Sequence, residues 1–410
     1  MLIALSFANP KLYLKRFFKI LRRTILVIII IIILIVIAVQ TKLVQNWLVN
    51  IATKTISKQL GTAVSVQSVN FSFFTKANIN GLFVADKNKD TILYASNLNI
   101  SITDWFFFKD KTELKYLGLE DAIIKMNRTD SVWNYQYIIN YFASTNTSTK
   151  PNNNKEFQLK KIDLKNVLLI KNDEWRGEII TAKIGKLLVV ADSLNFKTNK
   201  LYFNKIEVDA PQVNVQKFKG NRPADYIFPA VDNTPVKHPL LMLVKSFNIA
   251  NGQLAINHDY DLPATNFDGA HILLNALNGK FDNFKIHGDT LTAAININGK
   301  ERSGLILKQL KANVKWTSNM LELSKMDLKT NKSHLTNYYA MKFKNFDDDF
   351  AEYPTNVIMD AHFNNSFINS DDIAFFAPSL KTWKKELQLS GNWLGTVADF
   401  TIEKRSESVV

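Results

Sequence analysis

Leu117-Gly118-Leu119-Glu120-Asp121-Ala122-Ile123-Ile124-Lys125-Met126-Asn127 sets two apolar residues two apart, then a turn-like pair, Asp121-Ala122, then Ile124 two positions beyond it. The same frame returns without gaps at residues 162–172, 206–216, 247–257 and, more weakly, 284–294, with the pairs Asn166-Val167, Ala210-Pro211, Asn251-Gly252 and Gly288-Asp289. Leu169, Val213, Leu254 and Leu291 take the place of Ile124, and alternation resumes at Met126, Val215, Ile256 and Ala293, with Lys171 breaking it in the second copy. Alternation of this kind marks strands with one apolar face. A recurrence of about 40 residues suits repeats that bury their apolar faces only against neighbours and so build an elongated body.

No Trp-Asp or kelch-like signature accompanies the repeat, so an open, long, curled sheet is expected rather than a closed propeller. Curling would turn the apolar face into a trough suited to acyl chains. The candidate lining residues are Leu117, Leu119, Ile162, Leu164, Ile206, Val208, Phe247 and Ile249. About thirty strands spaced about 4.8 Å apart would give a body of roughly 140 Å as an upper figure.

Before the first copy, Val64, Val66, Val69, Phe71, Phe73, Ile79, Leu82 and Val84 alternate, as do Leu98, Ile100 and Ile102, which lead into Trp105-Phe106-Phe107-Phe108. That aromatic cluster reads as packing at a sheet end, with a lipid-contacting rim as the sharper alternative. Trp133, Tyr137, Ile138, Tyr141 and Phe142 make an aromatic helical face. The Ser/Thr/Asn run at residues 144–156, with Pro151, reads as a linker. It separates a domain at 40–143 from a repetitive β-groove at 157–410.

Nearer the start, Leu43, Val44, Trp47, Leu48, Ile51 and Ile56 predict a helix from Lys42 to Leu60, ended by Gly61. Residues 25–39 are apolar throughout and mostly isoleucine. In water such a run favours a strand, but in hydrocarbon every backbone group must be satisfied within the segment, which requires a helix. Fifteen residues rise about 22 Å against a core of about 30 Å, so the span is expected to recruit Phe17, Phe18, Ile20 and Leu21. The anchor reading rests on Ile25, Ile30, Ile35 and Val39. Lys11, Lys15, Arg16, Lys19, Arg22 and Arg23 hold residues 1–24 on the cytoplasmic side and export residues 41–410. The alternatives are a buried soluble helix, or a signal peptide cleaved after Val36-Ile37-Ala38. The expected architecture is therefore mainly β: a transmembrane helix, then an elongated, curled, groove-like sheet with a few short helices.

The chain has no cysteine, which excludes disulfides, thiolate metal sites and a cysteine nucleophile. Its net charge is +14, but residues 1–60 carry nine basic residues and no acid, leaving 14 − 9 = +5 over the rest. The excess is a topology signal and a grip on anionic lipid, not a nucleic-acid footprint. No Gly-rich phosphate loop, GxSxG elbow or HExxH helix occurs, and His238, His258, His271, His287, His334 and His362 are scattered. Asp347-Asp348-Asp349 lacks the Gly and distal Glu of a calcium loop and reads as a solvated turn. Neither an enzyme nor a cofactor is expected.

The run Trp47-Leu48, Leu60-Gly61-Thr62, Val64, Val66 and Phe71-Ser72-Phe73-Phe74 resembles the start of TamB-like proteins of the AsmA-like superfamily, particularly those of Bacteroidetes. So do Asp90-Thr91-Ile92-Leu93-Tyr94-Ala95, Asp104-Trp105-Phe106-Phe107-Phe108, Gly118-Leu119-Glu120-Asp121-Ala122 and Trp133-Asn134-Tyr135. The resemblance covers about residues 40–142; residues 157–400 share only the β-rich, repetitive texture. It implies an inner-membrane-anchored periplasmic protein that carries phospholipid towards the outer membrane, or assembles outer-membrane proteins with a TamA or BamA-type barrel. Family members are longer and carry a carboxy-terminal domain, so the chain is expected to correspond to an amino-terminal portion. The competing classes are an assembly factor that pairs its sheet edges with client strands and an anchored scaffold whose apolar face is a closed core.

Overall fold

Long alternating segments join into one curled, mixed sheet of 17 strands. The computed structural model describes residues 22–24, 26–31, 34, 37–38, 41–72, 75–102, 114–144, 159–196, 198–226, 238–259 and 262–403. The aromatic cluster at 105–108 and most of the linker at 144–156 lie outside the described residues.

The sheet grows in chain order. β1 (Val64–Ser65) and β2 (Ser68–Ser72) share one side of β3 (Lys76–Ala85), which pairs with β4 (Thr91–Ile102), and that with β5 (Leu114–Arg128), all antiparallel. β5 meets β6 (Lys161–Asp173) in parallel, so the ladder runs straight across the linker. β7 (Glu178–Asn195) and β8 (Lys200–Lys217) follow antiparallel, and β8 pairs in parallel with β9 (Leu241–His258). From there every step is antiparallel: β10 (His271–His287), β11 (Thr290–Glu301), β12 (Ile306–Thr317), β13 (Met320–Lys329), β14 (His334–Lys342), β15 (Ile358–Asn369), β16 (Glu386–Gly395) and β17 (Phe400–Glu403).

Among the described residues the strands are fewer than the expected thirty, and long. β7, β8 and β9 each run 18 residues. β1 and β2 occupy one position, so the described sheet spans fifteen inter-strand steps, about 72 Å at about 4.8 Å each. That lies within the upper figure of roughly 140 Å.

The turn-like pairs explain the miscount. Asp121, Asn166, Ala210 and Asn251 have left-handed φ of 49°, 50°, 49° and 53°, yet each sits inside its strand. They are left-handed kinks inside continuous strands that shift the in/out alternation by one, not turns. Only Gly288-Asp289 is a true turn, joining β10 to β11 with Gly288 at φ 61°. The kinks lie at one height, Asp121 beside Asn166 across the β5–β6 ladder and Ala210 beside Asn251 across β8–β9. Gly185 carries the line through β7, between Asn166 and Ala210. A Cβ on Gly185 would come within 3.0 Å of the Asp209 carbonyl oxygen. Asn166 Nδ2 donates to Asp121 Oδ1 at 2.6 Å, and Asn251 Nδ2 to Asp209 Oδ1 at 3.1 Å. Ala276 continues the crease into β10, and a second line of left-handed residues, Asn283, Lys325, Asn337 and Asn365, runs on the far side of the first row. The β5–β6 and β6–β7 ladders keep one register through the crease, so neighbouring strands change their alternation together.

α1 (Lys42–Leu60) has the expected limits, with Thr41 as N-cap and Gly61 as a left-handed C-cap at φ 65°. Its carboxy-terminal turn is pinned by Val64 N donating to Ser57 Oγ at 2.9 Å and by Lys87 Nζ donating to Leu60 O at 2.6 Å. Leu43, Trp47, Ile51 and Ile56 are exposed. α2 (Gln136–Ser144) closes on the first strands through Tyr137 Oη, which donates to Ala85 O at 2.7 Å. The acidic triplet lies in a helical turn, α3 (Phe346–Ala351), rather than an open one; Asp349 accepts from Lys344 N and Asn345 N. α4 (Tyr353–Asn356) and α5 (Ser370–Ile373) are single turns beside β15.

Candidate functional site

The parallel pairing sets like residues of the repeat opposite one another. Leu117 faces Ile162 and Leu119 faces Leu164; Ile206 faces Phe247 and Val208 faces Ile249. β7 closes the gap, with Val189 between Ile162 and Ile206, and Leu187 between Leu164 and Val208. All eight candidate lining residues therefore fall in two adjacent rows on one face.

The rows reach well past the repeat. The first begins at Phe71, Ala77 and Ile100, passes through Leu117 to Phe247, and continues to Phe281, Ile295 and Ala312. The second begins at Val69, Ile79 and Leu98, passes through Leu119 to Ile249, and continues to Gly279, Ile297, Leu310, Leu328 and Leu335. A Cβ on Gly279 would lie 2.8 Å from the Phe281 ring, which stacks on Phe247 at 5.1 Å. Glycine is needed there for the aromatic step of the first row to lie flat.

Beyond the crease the same face stays apolar because the left-handed residue moves the alternation by one. Ala122 and Val167 are buried against Leu119, and Ile124 packs beside them. A strand without the kink would send Ile124 to the far side. The opposite face is polar, with Lys165 Nζ paired to Glu120 Oε1 at 2.7 Å and Lys205 Nζ to Glu207 Oε1 at 2.7 Å.

Leu119 is buried; the other seven candidates are half-buried. Among the described residues Ile92, Leu114, Ile295, Met326, Phe343 and Leu389 are also buried, but most side chains of the two rows are not. A core closed between two layers would bury most of both rows. The rows instead form a shallow apolar surface along one curled layer.

At the β10–β15 end the surface deepens into an apolar cavity of about 470 Å³. Ile297, Leu328 and Leu335 of the second row form its floor together with Leu274 and Leu277, and α5 with Phe376 covers it. Phe376 meets Phe267 at 4.8 Å, and Phe267 N donates to Phe375 O at 3.1 Å. The cover is pinned through Asp372, whose Oδ2 accepts from Thr330 Oγ1, Lys332 N and Ser333 Oγ at 2.5, 2.9 and 2.7 Å.

A polar hollow of about 590 Å³ lies between the β3–β4 turn and the end of β5. Its wall includes Arg128, which lies 4.6 Å over the Trp133 ring and forks onto Asp173 with two 2.7 Å hydrogen bonds. Burial opposes ionisation of Asp173, but the bonds from Arg128 and Arg176 N and the Arg128 charge outweigh it, leaving the carboxyl below its usual range. Burial pushes the Tyr339 hydroxyl up; it lies 3.0 Å from Tyr353 Oη.

Of the anchor residues, Ile30 is helical and exposed, as are Arg22 and Arg23; Ile25, Ile35, Val39, Lys15, Arg16 and Lys19 lie outside the described residues. Among the described residues no helix is long and apolar enough to cross a membrane. Sequence reasoning missed Leu187 and Val189, whose signal is their alternation, and missed the cover, since Ile373 and Phe376 come into place only through the tertiary fold. Neither the family models nor the curated proteins compared with this chain give a match.

Proposed function

We propose that the chain is a lipid carrier of the cell envelope. Its curled sheet holds phospholipid acyl chains against the two apolar rows and carries the lipid between the inner and outer membranes. Residues 25–39 anchor it in the inner membrane, with the amino terminus cytoplasmic and the sheet in the periplasm. The supporting observation is the unbroken second row, from Val69 on β2 to Leu335 on β14. Fully burying a Leu or Ile side chain is worth about 1.5–3 kcal/mol, so a half-buried row leaves on the order of 1 kcal/mol per residue to be gained from hydrocarbon. The resemblance of residues 40–142 to TamB-like proteins agrees with this reading. No side chain is assigned a catalytic role.

The test is native mass spectrometry with lipid extraction on the full chain, comparing the wild type with a Leu164→Asp, Ile206→Asp, Phe247→Asp triple variant. Co-purified phospholipid that disappears in a variant of unchanged strand content supports the carrier. Equal phospholipid in both, or none in the wild type, refutes it.

A second reading, assembly of outer-membrane proteins with a TamA or BamA-type barrel, is favoured by one observation. β17 pairs only with Asn392–Gly395, so among the described residues β16 has no partner on that side at 386–391, where Leu387 is exposed. Such an edge accepts another strand. Site-specific crosslinking from position 388 to a strand of another protein is the outcome expected on that reading.

A further inference from the structure

The covered cavity at the β10–β15 end differs from the rest of the apolar face in having a roof. Its floor continues the second row through Ile297, Leu328 and Leu335, so whatever lies along that row reaches the cavity without crossing polar surface. The volume, about 470 Å³, falls in the range of about 300–1,000 Å³ typical of small-molecule sites.

The polar groups that line it, Glu301, Thr330, Ser333 and Asp372, are engaged in hydrogen bonds within the protein. Glu301 accepts from Ser303 N at 2.6 Å and Leu273 N at 3.4 Å, and Asp372 Oδ2 holds three donors of the β13–β14 turn. Asp372 Oδ1 has no hydrogen-bond partner, but it is buried, so no ligand reaches it without the side chain moving. A ligand with a polar group would leave that group unpaired there, at a cost that disfavours it. The lining therefore favours hydrocarbon.

The roof is held from two sides. Asp371 receives Lys332 Nζ at 2.6 Å and Lys384 Nζ at 2.8 Å, while Arg302 Nη1 donates to Ala264 O at 2.7 Å beside the loop that carries Phe267. The space is therefore preformed. At Gly299, which also lines it, an added Cβ would find its nearest neighbours at 3.5 Å, ordinary contact distance, and the backbone there is not left-handed.

We infer that this cavity seats the methyl end of one lipid acyl chain, leaving the chain's carboxyl end and the head group further back along the rows. The inference rests on the carrier reading and adds to it a fixed terminus: lipid does not only lie along the sheet but comes to rest tail-first under Phe376.

The experiment uses the full chain, reconstituted with phosphatidylethanolamine/phosphatidylglycerol vesicles doped with either of two photoreactive phospholipids. One carries a diazirine at the terminal carbon of the acyl chain, the other near its carboxyl. After irradiation, peptide mapping is expected to place the terminal label on peptides containing Leu274, Leu277, Ile373 and Phe376, and the carboxyl-proximal label on peptides of β8 to β10. Gly299→Leu fills the cavity and should cut terminal labelling there at least about tenfold, the equivalent of roughly two lost methylene contacts. Labelling of β5 to β8 should stay unchanged. A terminal label spread evenly along the rows, or undiminished in a folded Gly299→Leu protein, overturns the terminus while leaving the carrier standing. No label on any row overturns the carrier itself. If Gly299→Leu does not fold, the wild-type map decides alone.

Discussion

At the residue scale, the ionised side chains that matter most are those held out of water by fixed partners. Asp173 is fully buried and Arg128 forks onto it at the end of β5. Removing one partner of such a pair strands the other charge, so Asp173→Ala should cost about 3–5 kcal/mol in urea unfolding. The same group sets a pH response. Burial opposes ionisation of Asp173, Asp268, Glu301 and Asp327, but hydrogen bonds outweigh it, and all four carboxyls lie below their ordinary values. A depressed folded value means that the unfolded chain takes up protons first, so the stability these groups contribute is present above the unfolded range, about 4, and is lost as pH falls through the folded values. Melting temperatures should be flat between pH 7 and 5 and fall below pH 4, with the fall shallower in Asp173→Asn. An equal fall in the variant would show that Asp173 plays no part in it.

At the scale of the element, the crease reverses the usual ranking of residues in a strand. Glycine inside a strand normally costs stability relative to alanine. Ala210 sits at φ 49°, where a Cβ is strained, so Ala210→Gly should raise stability by up to about 1 kcal/mol, and Ala210→Val should lower it by about 1–2 kcal/mol. Gly185, on the neighbouring strand at the same height, shows the opposite sign. Its Cβ would press on the Asp209 carbonyl, so Gly185→Ala should destabilise. Chemical denaturation of the three variants checks the set; Ala210→Gly below wild type would deny the crease its backbone geometry. Gly61, the αL cap of α1, belongs to the same logic, with a Cβ meeting Lys87 Nζ at 2.9 Å.

For the whole molecule, connectivity governs behaviour. Each strand packs chiefly on the strands hydrogen-bonded to it, with α1 on β1 and β2 and α5 on β15. Such a body is close to one-dimensional, and its stability is a sum of neighbour terms. Hydrogen exchange should therefore be graded, slow in the long central strands β6 to β11 and fast in β1, β2 and β17, instead of a single cooperative opening. One shared rate for all protected amides would contradict the nearest-neighbour picture. The same connectivity explains why a face can stay apolar and uncovered: stability comes from ladders running along the sheet, and no second layer is required to hold it flat.

The local period was written in the chain itself. Alternation through Leu117, Leu119, Ile162 and Leu164 specifies strands with one apolar face, and Lys42–Leu60 with Gly61 specifies a capped helix, because both depend on neighbours two to four residues away. The crease was written too, but ambiguously. Asp121-Ala122, Asn166-Val167 and Asn251-Gly252 carry residues that tolerate φ > 0, and that chemistry serves a turn and a mid-strand kink equally. Only the flanking ladders decide between them: hydrogen bonds to both neighbours hold the strand extended on either side of the left-handed residue, where an unpaired chain would reverse. The roof over the cavity was decided the same way. Ile373 and Phe376 lie about 70 residues from Leu305 and Leu307, and the contact exists because β15 returns along β14 and the Asp372 hydrogen bonds hold the segment down.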